Sequence, residues 1–169
     1  MAFPKDFKDL IELFNKNHVE YLIVGGYAFG VHVAPRSTKD LDLFIRASQK
    51  NSEAVWNSLA RFGAPLAAYT PKDFRDGKST IQLGVEPNRI DIIQKIDGVT
   101  FDEAWKHRVL AMIDGELPVS LISREDLLQN KRAAGRPRDL ADAYEIEEAG
   151  KAIRTRAMTK KKPSKDRGR

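Results

Sequence analysis

Cysteine is absent from this 169-residue chain, which excludes a disulfide framework and any thiolate metal site. Histidine is scarce: His18, His32 and His107 stand far apart and show no ligand spacing, so a zinc centre is not expected. No apolar run approaches the roughly 20 residues that a membrane-spanning helix needs, and the opening MAFPKDFKDL is charged too early for a secretory signal. The expectation is a cytoplasmic protein with no membrane partner. Neither a Walker A pattern nor a GxSxG elbow occurs, which disfavours P-loop and acyl-hydrolase chemistry. No internal repeat is present.

The content is that of a globular protein, 41% hydrophobic and 31% charged, with length for one domain and its own core. The formal net charge of +5 hides an uneven distribution. Residues 151–169 hold nine Lys or Arg and one Asp, which leaves 20 positive and 23 negative side chains in residues 1–150. The expected organisation is therefore a mildly acidic domain over 1–150 and a basic, disordered tail over 151–169, ending KKKPSKDRGR. Such a tail either neutralises nucleic-acid phosphates or simply solubilises the chain end.

Apolar spacing at Phe7, Leu10, Ile11 and Phe14 predicts an amphipathic helix. Tyr21 to Val24 reads as a buried strand that stops at Gly25-Gly26, followed by a short helix over Tyr27 to His32 that is broken before Pro35. Asp40 to Ile45 is a second strand, and Ser48 or Asn51 starts a helix whose inner face includes Val55, Leu59 and Phe62. Beyond a turn-rich stretch, Thr80 to Val85 and Arg89 to Ile93 read as paired strands, Thr100 to His107 as a helix, and Val109 to Ile113 with Glu116 to Leu121 as a hairpin turned at Asp114-Gly115. Ser123 caps a helix to Ala134, ended by Gly135 and Pro137, and Asp139 is the expected cap of the last helix. The order predicts an α/β fold, a mixed sheet with helices on its faces.

Chemistry concentrates between Val24 and Leu43. Glycines where a strand hands over to a helix let backbone amides approach a phosphate, although a plain tight turn uses the same residues. Fourteen residues after Gly26, Asp40 and Asp42 point to one side of their strand, about 7 Å apart. Carboxylates so close raise each other's pKa unless a cation compensates, and Mg2+, a hard cation that takes oxygen ligands and substrate phosphates, is the natural one. Arg36, Ser37 and Thr38 offer a cation and two hydroxyls to the same region, with a surface loop as the alternative for Arg36. Asp91, in an otherwise apolar strand, is the candidate third carboxylate, or an edge-strand aspartate facing water. Asn130, Lys131 and Arg132 would project polar groups where a triphosphate needs donors, with a solvated helix-end lysine as the alternative for Lys131.

These residues resemble a known signature. Val24-Gly25-Gly26, followed by Arg36-Ser37-Thr38-Lys39-Asp40-Leu41-Asp42-Leu43, is similar to the glycine-pair and Asp-x-Asp motif of the polymerase-β-like nucleotidyltransferases. Leu128 to Asp142, reading LQNKRAAGRPRDLAD, resembles the Lys-to-Arg-Asp-Leu motif of their small bacterial branch, which includes AbiEii-type toxins. The resemblance implies a minimal nucleotidyltransferase fold, a short mixed sheet flanked by helices. It also implies that Asp40, Asp42 and Asp91 hold two Mg2+ ions, that Gly25 and Gly26 bind phosphates through their amides, and that Lys131 neutralises the outer phosphates. A hydroxyl would attack the α-phosphate of a nucleoside triphosphate, ATP among them, with loss of pyrophosphate. The implied acceptor is RNA (transfer RNA included) or protein, in a toxin–antitoxin setting with an antitoxin partner. A small-molecule acceptor of the antibiotic type and a non-catalytic nucleotide-binding or nucleic-acid-binding relative are the alternatives.

Overall fold

Alternation of apolar and polar residues gives the central sheet one sealed face and one open face. The structure, a computed structural model, describes residues 3–161. Its elements in chain order are α1 (Lys5–Lys16), β1 (Tyr21–Val24), α2 (Gly25–His32), β2 (Asp40–Ile45), α3 (Gln49–Phe62), a 3-10 turn (Pro71–Phe74), β3 (Thr80–Leu83), β4 (Arg89–Ile93), α4 (Phe101–Lys106), β5 (Val109–Ile113), β6 (Leu117–Leu121), α5 (Arg124–Ala134) and α6 (Pro137–Lys160). The strands form one six-stranded mixed sheet in the order β3-β4-β2-β1-β6-β5. Strand β2 runs antiparallel to β1 and parallel to β4.

In β2, Leu41, Leu43 and Ile45 are fully buried on one face. Tyr21 and Ile23 of β1 and Ile90 and Ile92 of β4 lie beside them in register. Helices α1 and α3 cover this face. Phe7, Leu10, Ile11 and Phe14 of α1 and Val55 and Leu59 of α3 are completely buried, and the Phe14 ring packs 5.6 Å from that of Tyr21. Burial of each large side chain contributes about 1.5–3 kcal/mol, which is why the spacing read from the sequence sets how α1 lies. The opposite face carries Asp40, Asp42 and Phe44. Its far end is closed, where Phe101 of α4 meets Phe44 edge to face at 5.1 Å.

Asn51 does not begin α3. Ser48 is the cap, accepting from the Asn51 amide, which frees the Asn51 side chain for another task. Buried at 4% exposure, it accepts from the Glu20 amide at 2.8 Å and donates to the Glu20 and Arg46 carbonyls at 3.0 and 2.9 Å. One amide thus ties the start of β1 to the end of β2.

Three further expectations are corrected. Asp139 does not cap α6: Arg136 holds that position with Pro137 first in the helix, and Asp139 turns inward instead, 4% exposed. Asp91 is not an edge-strand residue, because β3 lies outside β4 and leaves Asp91 only 7% exposed. Helix α6 continues to Lys160, ten residues into the segment whose composition predicts a disordered tail. The alanines and long straight side chains of KAIRTRAMTK favour helix once a preceding turn has nucleated it. These residues are all exposed, and 162–169 lie outside the described residues. No helix among the described residues is long and apolar enough to cross a membrane.

Replacing Asn51 with Ala should leave the half-buried Glu20 amide and Arg46 carbonyl without their partners, while the Glu20 carbonyl keeps the Arg46 amide, and cost about 2 kcal/mol of stability. Urea denaturation of the variant beside the unaltered protein measures it.

Candidate active site

Parallel pairing of β2 with β4 sets Asp42 directly beside Asp91 and Asp40 directly beside Arg89. Antiparallel pairing with β1 sets Val24, the residue before the glycine pair, beside Asp42 on the other flank. Three carboxylates therefore stand on two adjacent strands, on the open face. Burial, then the charges of Asp91 and Asp40, push the Asp42 carboxyl up to about 7, against the opposing pull of Arg89 and Lys131. Burial also raises Asp91, with Arg89 offsetting part of the effect.

The Arg89 guanidinium answers some of this charge. Nη2 donates to Asp40 Oδ2 at 2.8 Å and to Asp91 Oδ2 at 3.3 Å, and Nε donates to Asp91 Oδ1 at 3.0 Å. Asp40 Oδ1 is buried with no hydrogen-bond partner.

Gly25 opens α2 in the left-handed region, with φ +64. A Cβ there would stand 2.0 Å from Asp42 Oδ2, and one on Gly26 would stand 2.8 Å from Thr38 Oγ1. The glycine pair is thus required by the close approach of β1–α2 backbone to the carboxylate and to the segment 36–39. A turn alone would not demand both positions.

Across the cleft, Arg36 and Lys131 converge on Asp142 of α6. Arg36 makes a two-pronged bond to it at 2.7 and 3.0 Å, and its guanidinium lies 3.9 Å over the Phe29 ring. Lys131 Nζ lies 2.9 Å from Asp142 and 3.3 Å from Asp139. Burial works against the Asp142 charge, but the bonds from Arg36 and Lys131 outweigh it and hold the carboxyl down at about 2. Asn130 also lines the cleft and donates to the Asp97 carbonyl at its wall. Arg132 does not, being turned outward to Glu147, because positions along a helix face different sides.

Ten of the eleven residues singled out from the sequence (Gly25, Gly26, Arg36, Ser37, Thr38, Asp40, Asp42, Asp91, Asn130 and Lys131) line one cleft of about 830 Å³, and Arg132 does not. Arg89, Asp139 and Asp142 escaped the sequence reading as site residues. Asp139 and Asp142 carried a usable signal: they share a helix stripe with Ala143 and Ile146, both buried, and acids on an apolar stripe need cationic partners. Nothing local in the sequence distinguished Arg89.

The donor set suits a hard divalent cation. It offers carboxylate oxygens only, one of them buried without a partner, and Asp42 is raised by burial and then by the negative charge of Asp91 and Asp40. Among the described residues no three acidic, histidine or cysteine side chains are already drawn into a cage. Arg89 stands between two of the carboxylates instead.

Residues 3–150 match the family described as "Nucleotidyltransferase of unknown function" (DUF6036). The chain belongs to this family. No curated protein sequence matches this nucleotidyltransferase at a significant level. Its fold is shared with three solved structures. The lincomycin-bound lincosamide antibiotic adenylyltransferase LnuA is 16% identical with a TM-score of 0.56, covering 88% of this chain and 98% of that one. ANT(2")-Ia in complex with adenylyl-2"-tobramycin is 14% identical with a TM-score of 0.54, covering 89% and 96%. The Thermotoga maritima protein TM1012 is 13% identical with a TM-score of 0.53, covering 92% and 91%.

The raised Asp42 carboxyl gives a pH signature. A carboxyl that holds its proton more tightly when folded makes the metal-free protein lose stability as pH rises from about 4 to about 7. Asp42→Asn should abolish most of that slope, leaving the variant more stable than the unaltered nucleotidyltransferase by about 1–2 kcal/mol at pH 8, after allowance for solvent screening, and level with it near pH 4. Thermal melts across this range in EDTA measure the difference.

Proposed function

We propose that this nucleotidyltransferase moves a nucleoside monophosphate from a nucleoside triphosphate to a hydroxyl on RNA or protein, using Mg2+. The observation that carries the reading is the register of β2 and β4, which sets Asp42 beside Asp91 in the same cleft as the glycine pair, Arg36 and Lys131.

Asp40, Asp42 and Asp91 would hold Mg2+, which when bound supplies charge neutralisation at the triphosphate and a lowered pKa for the acceptor hydroxyl. The Gly25 and Gly26 amides, at the start of α2, receive phosphate oxygens. Ser37 and Thr38 offer hydroxyl donors, and Arg36 and Lys131 bring positive charge to the outer phosphates. As the acceptor oxygen attacks the α-phosphorus, the bond from that phosphorus to the bridging oxygen breaks and pyrophosphate leaves. The hydroxyl proton passes to the Asp91 carboxylate, which stands beside Asp42 on the neighbouring strand. The protein's contribution is mostly position and preorganised charge.

The acceptor class is supported by α6. This helix starts in the cleft wall at Arg138 and Asp139, and its far end carries the exposed Lys151, Arg154, Arg156 and Lys160. Beyond the acidic Glu145, Glu147 and Glu148 in the middle of the helix, this basic end offers a separate cationic surface of the kind that suits a long anionic acceptor. With the resemblance to AbiEii-type toxins, this supports a toxin of a toxin–antitoxin pair as the cellular role. A second reading has its own observation. LnuA and ANT(2")-Ia, which share the fold across nearly nine-tenths of this chain, are seen with lincomycin and with adenylylated tobramycin, so a small hydroxylated acceptor of that kind is the alternative.

With Mg2+ and each α-labelled triphosphate, label should appear on added RNA or on protein. Asp42→Ala should slow the transfer by about 10²–10³-fold or more. Absence of label with every triphosphate, in protein shown to be folded, would contradict the proposal. Deleting residues 151–169 should abolish transfer to RNA while leaving the melting transition in place, whereas a small-molecule enzyme would retain its turnover. In cells, expression should arrest growth and Asp42→Ala should relieve the arrest.

A further inference from the structure

Arg89 is the cleft cation that stands among the carboxylates themselves. Arg36 and Lys131 lean on α6, whereas Arg89 bonds one oxygen of Asp40 and both oxygens of Asp91. It belongs to the same strand as Asp91, two residues earlier, and lies beside Asp40 in the ladder, so its place is set by backbone register. Its side chain remains 28% exposed, at the cleft surface and not locked in the core. The lone pairs it takes are those a divalent cation would need from Asp40 and Asp91. Two cations cannot share them, since like charges a few ångströms apart in a half-buried site repel by several kcal/mol.

We propose that Arg89 is the resident counter-ion of the carboxylate cluster, displaced when a divalent cation loads, and that its freed guanidinium then binds the incoming triphosphate. The inference rests on the reading of Asp40, Asp42 and Asp91 as metal ligands. Its consequence is coupling. Metal alone must compete with an intramolecular ion pair and binds weakly. Metal with triphosphate binds well, because the displaced guanidinium gains a phosphate, for which its planar fork is suited. The empty enzyme thereby keeps three crowded carboxylates tolerable without a metal ion, and the cleft loads as a unit.

Mn2+ binding followed by electron paramagnetic resonance tests this without turnover. Without nucleotide, Arg89→Ala should bind Mn2+ about tenfold more tightly than the unaltered protein, since affinity is reduced by the fraction of molecules whose carboxylates are occupied. Arg89→Lys, which keeps the charge and loses the fork, should fall between them. With a non-hydrolysable triphosphate the order should reverse, the alanine variant binding the metal–nucleotide pair more weakly.

A second measurement needs no substitution and holds if the variants fail to fold. Modification of Arg89 by phenylglyoxal, mapped by mass spectrometry, should speed up on adding Mg2+ alone, while the outward-facing Arg132 stays constant, and slow again with Mg2+ and triphosphate. Mn2+ affinity unchanged or weakened in folded Arg89→Ala, or a modification rate indifferent to Mg2+, would overturn the Arg89 inference alone. No Mn2+ binding sensitive to Asp42→Ala in any form of the protein would overturn the metal-ligand reading as well.

Discussion

Three carboxylates held side by side by strand register are the constraint on which the rest of this structure depends. Parallel pairing of β2 with β4 leaves Asp42 and Asp91 no freedom to separate, and β3 outside them keeps the pair away from the sheet edge. The cost appears in the raised Asp42 and Asp91 carboxyls, through burial first and through neighbouring negative charge second. Neighbouring features answer that cost. Arg89 neutralises part of it, the left-handed Gly25 makes room for Asp42, and the open sheet face leaves space for cations and phosphate. A sheet built for stability alone would place apolar side chains at these positions.

The two faces divide the labour. Under α1 and α3 the sheet is sealed by fully buried aromatic and aliphatic side chains, and that packing supplies the stability against which the charge cluster is tolerated. On the other face α4 closes the distal end, through Phe101 on Phe44, and the cleft stays open beside it. Helix α6 connects the cleft to the outside. Through Asp139 and Asp142 it holds Lys131 and Arg36 at the cleft wall, and its exposed basic half extends beyond the domain. One continuous helix thus joins that half to the groups at the cleft wall.

Much of this was legible in the sequence, for identifiable reasons. Helix α1 followed from its apolar spacing, β2 from alternation around Asp40 and Asp42, and α5 from a serine cap and a terminal glycine. All of these are local signals. The candidate residues gathered in one cleft could be singled out because the glycine pair, the Asp-x-Asp and the segment around Lys131 are short local motifs. What escaped is non-local or ambiguous. Asp139 at a helix start reads as a cap, and only the packing of α6 on α5 shows it to be a buried partner of Lys131. The place of Arg89 depends on which strands pair and in what register. Lys151 to Lys160 read as a tail because charge dominates their composition, while their helicity is inherited from the packed turns before them.

The central claim is that Asp40, Asp42 and Asp91 hold the metal ions beside a bound triphosphate. Its most direct test is a crystal structure with Mn2+ and a non-hydrolysable nucleoside triphosphate, with manganese located by anomalous scattering. The account predicts manganese bonded to carboxylate oxygens of Asp40 and Asp42, phosphates against the Gly25–Gly26 amides and Lys131, and Arg89 withdrawn from Asp40. Nucleotide bound elsewhere, or manganese absent from these carboxylates while the triphosphate is in place, would contradict it.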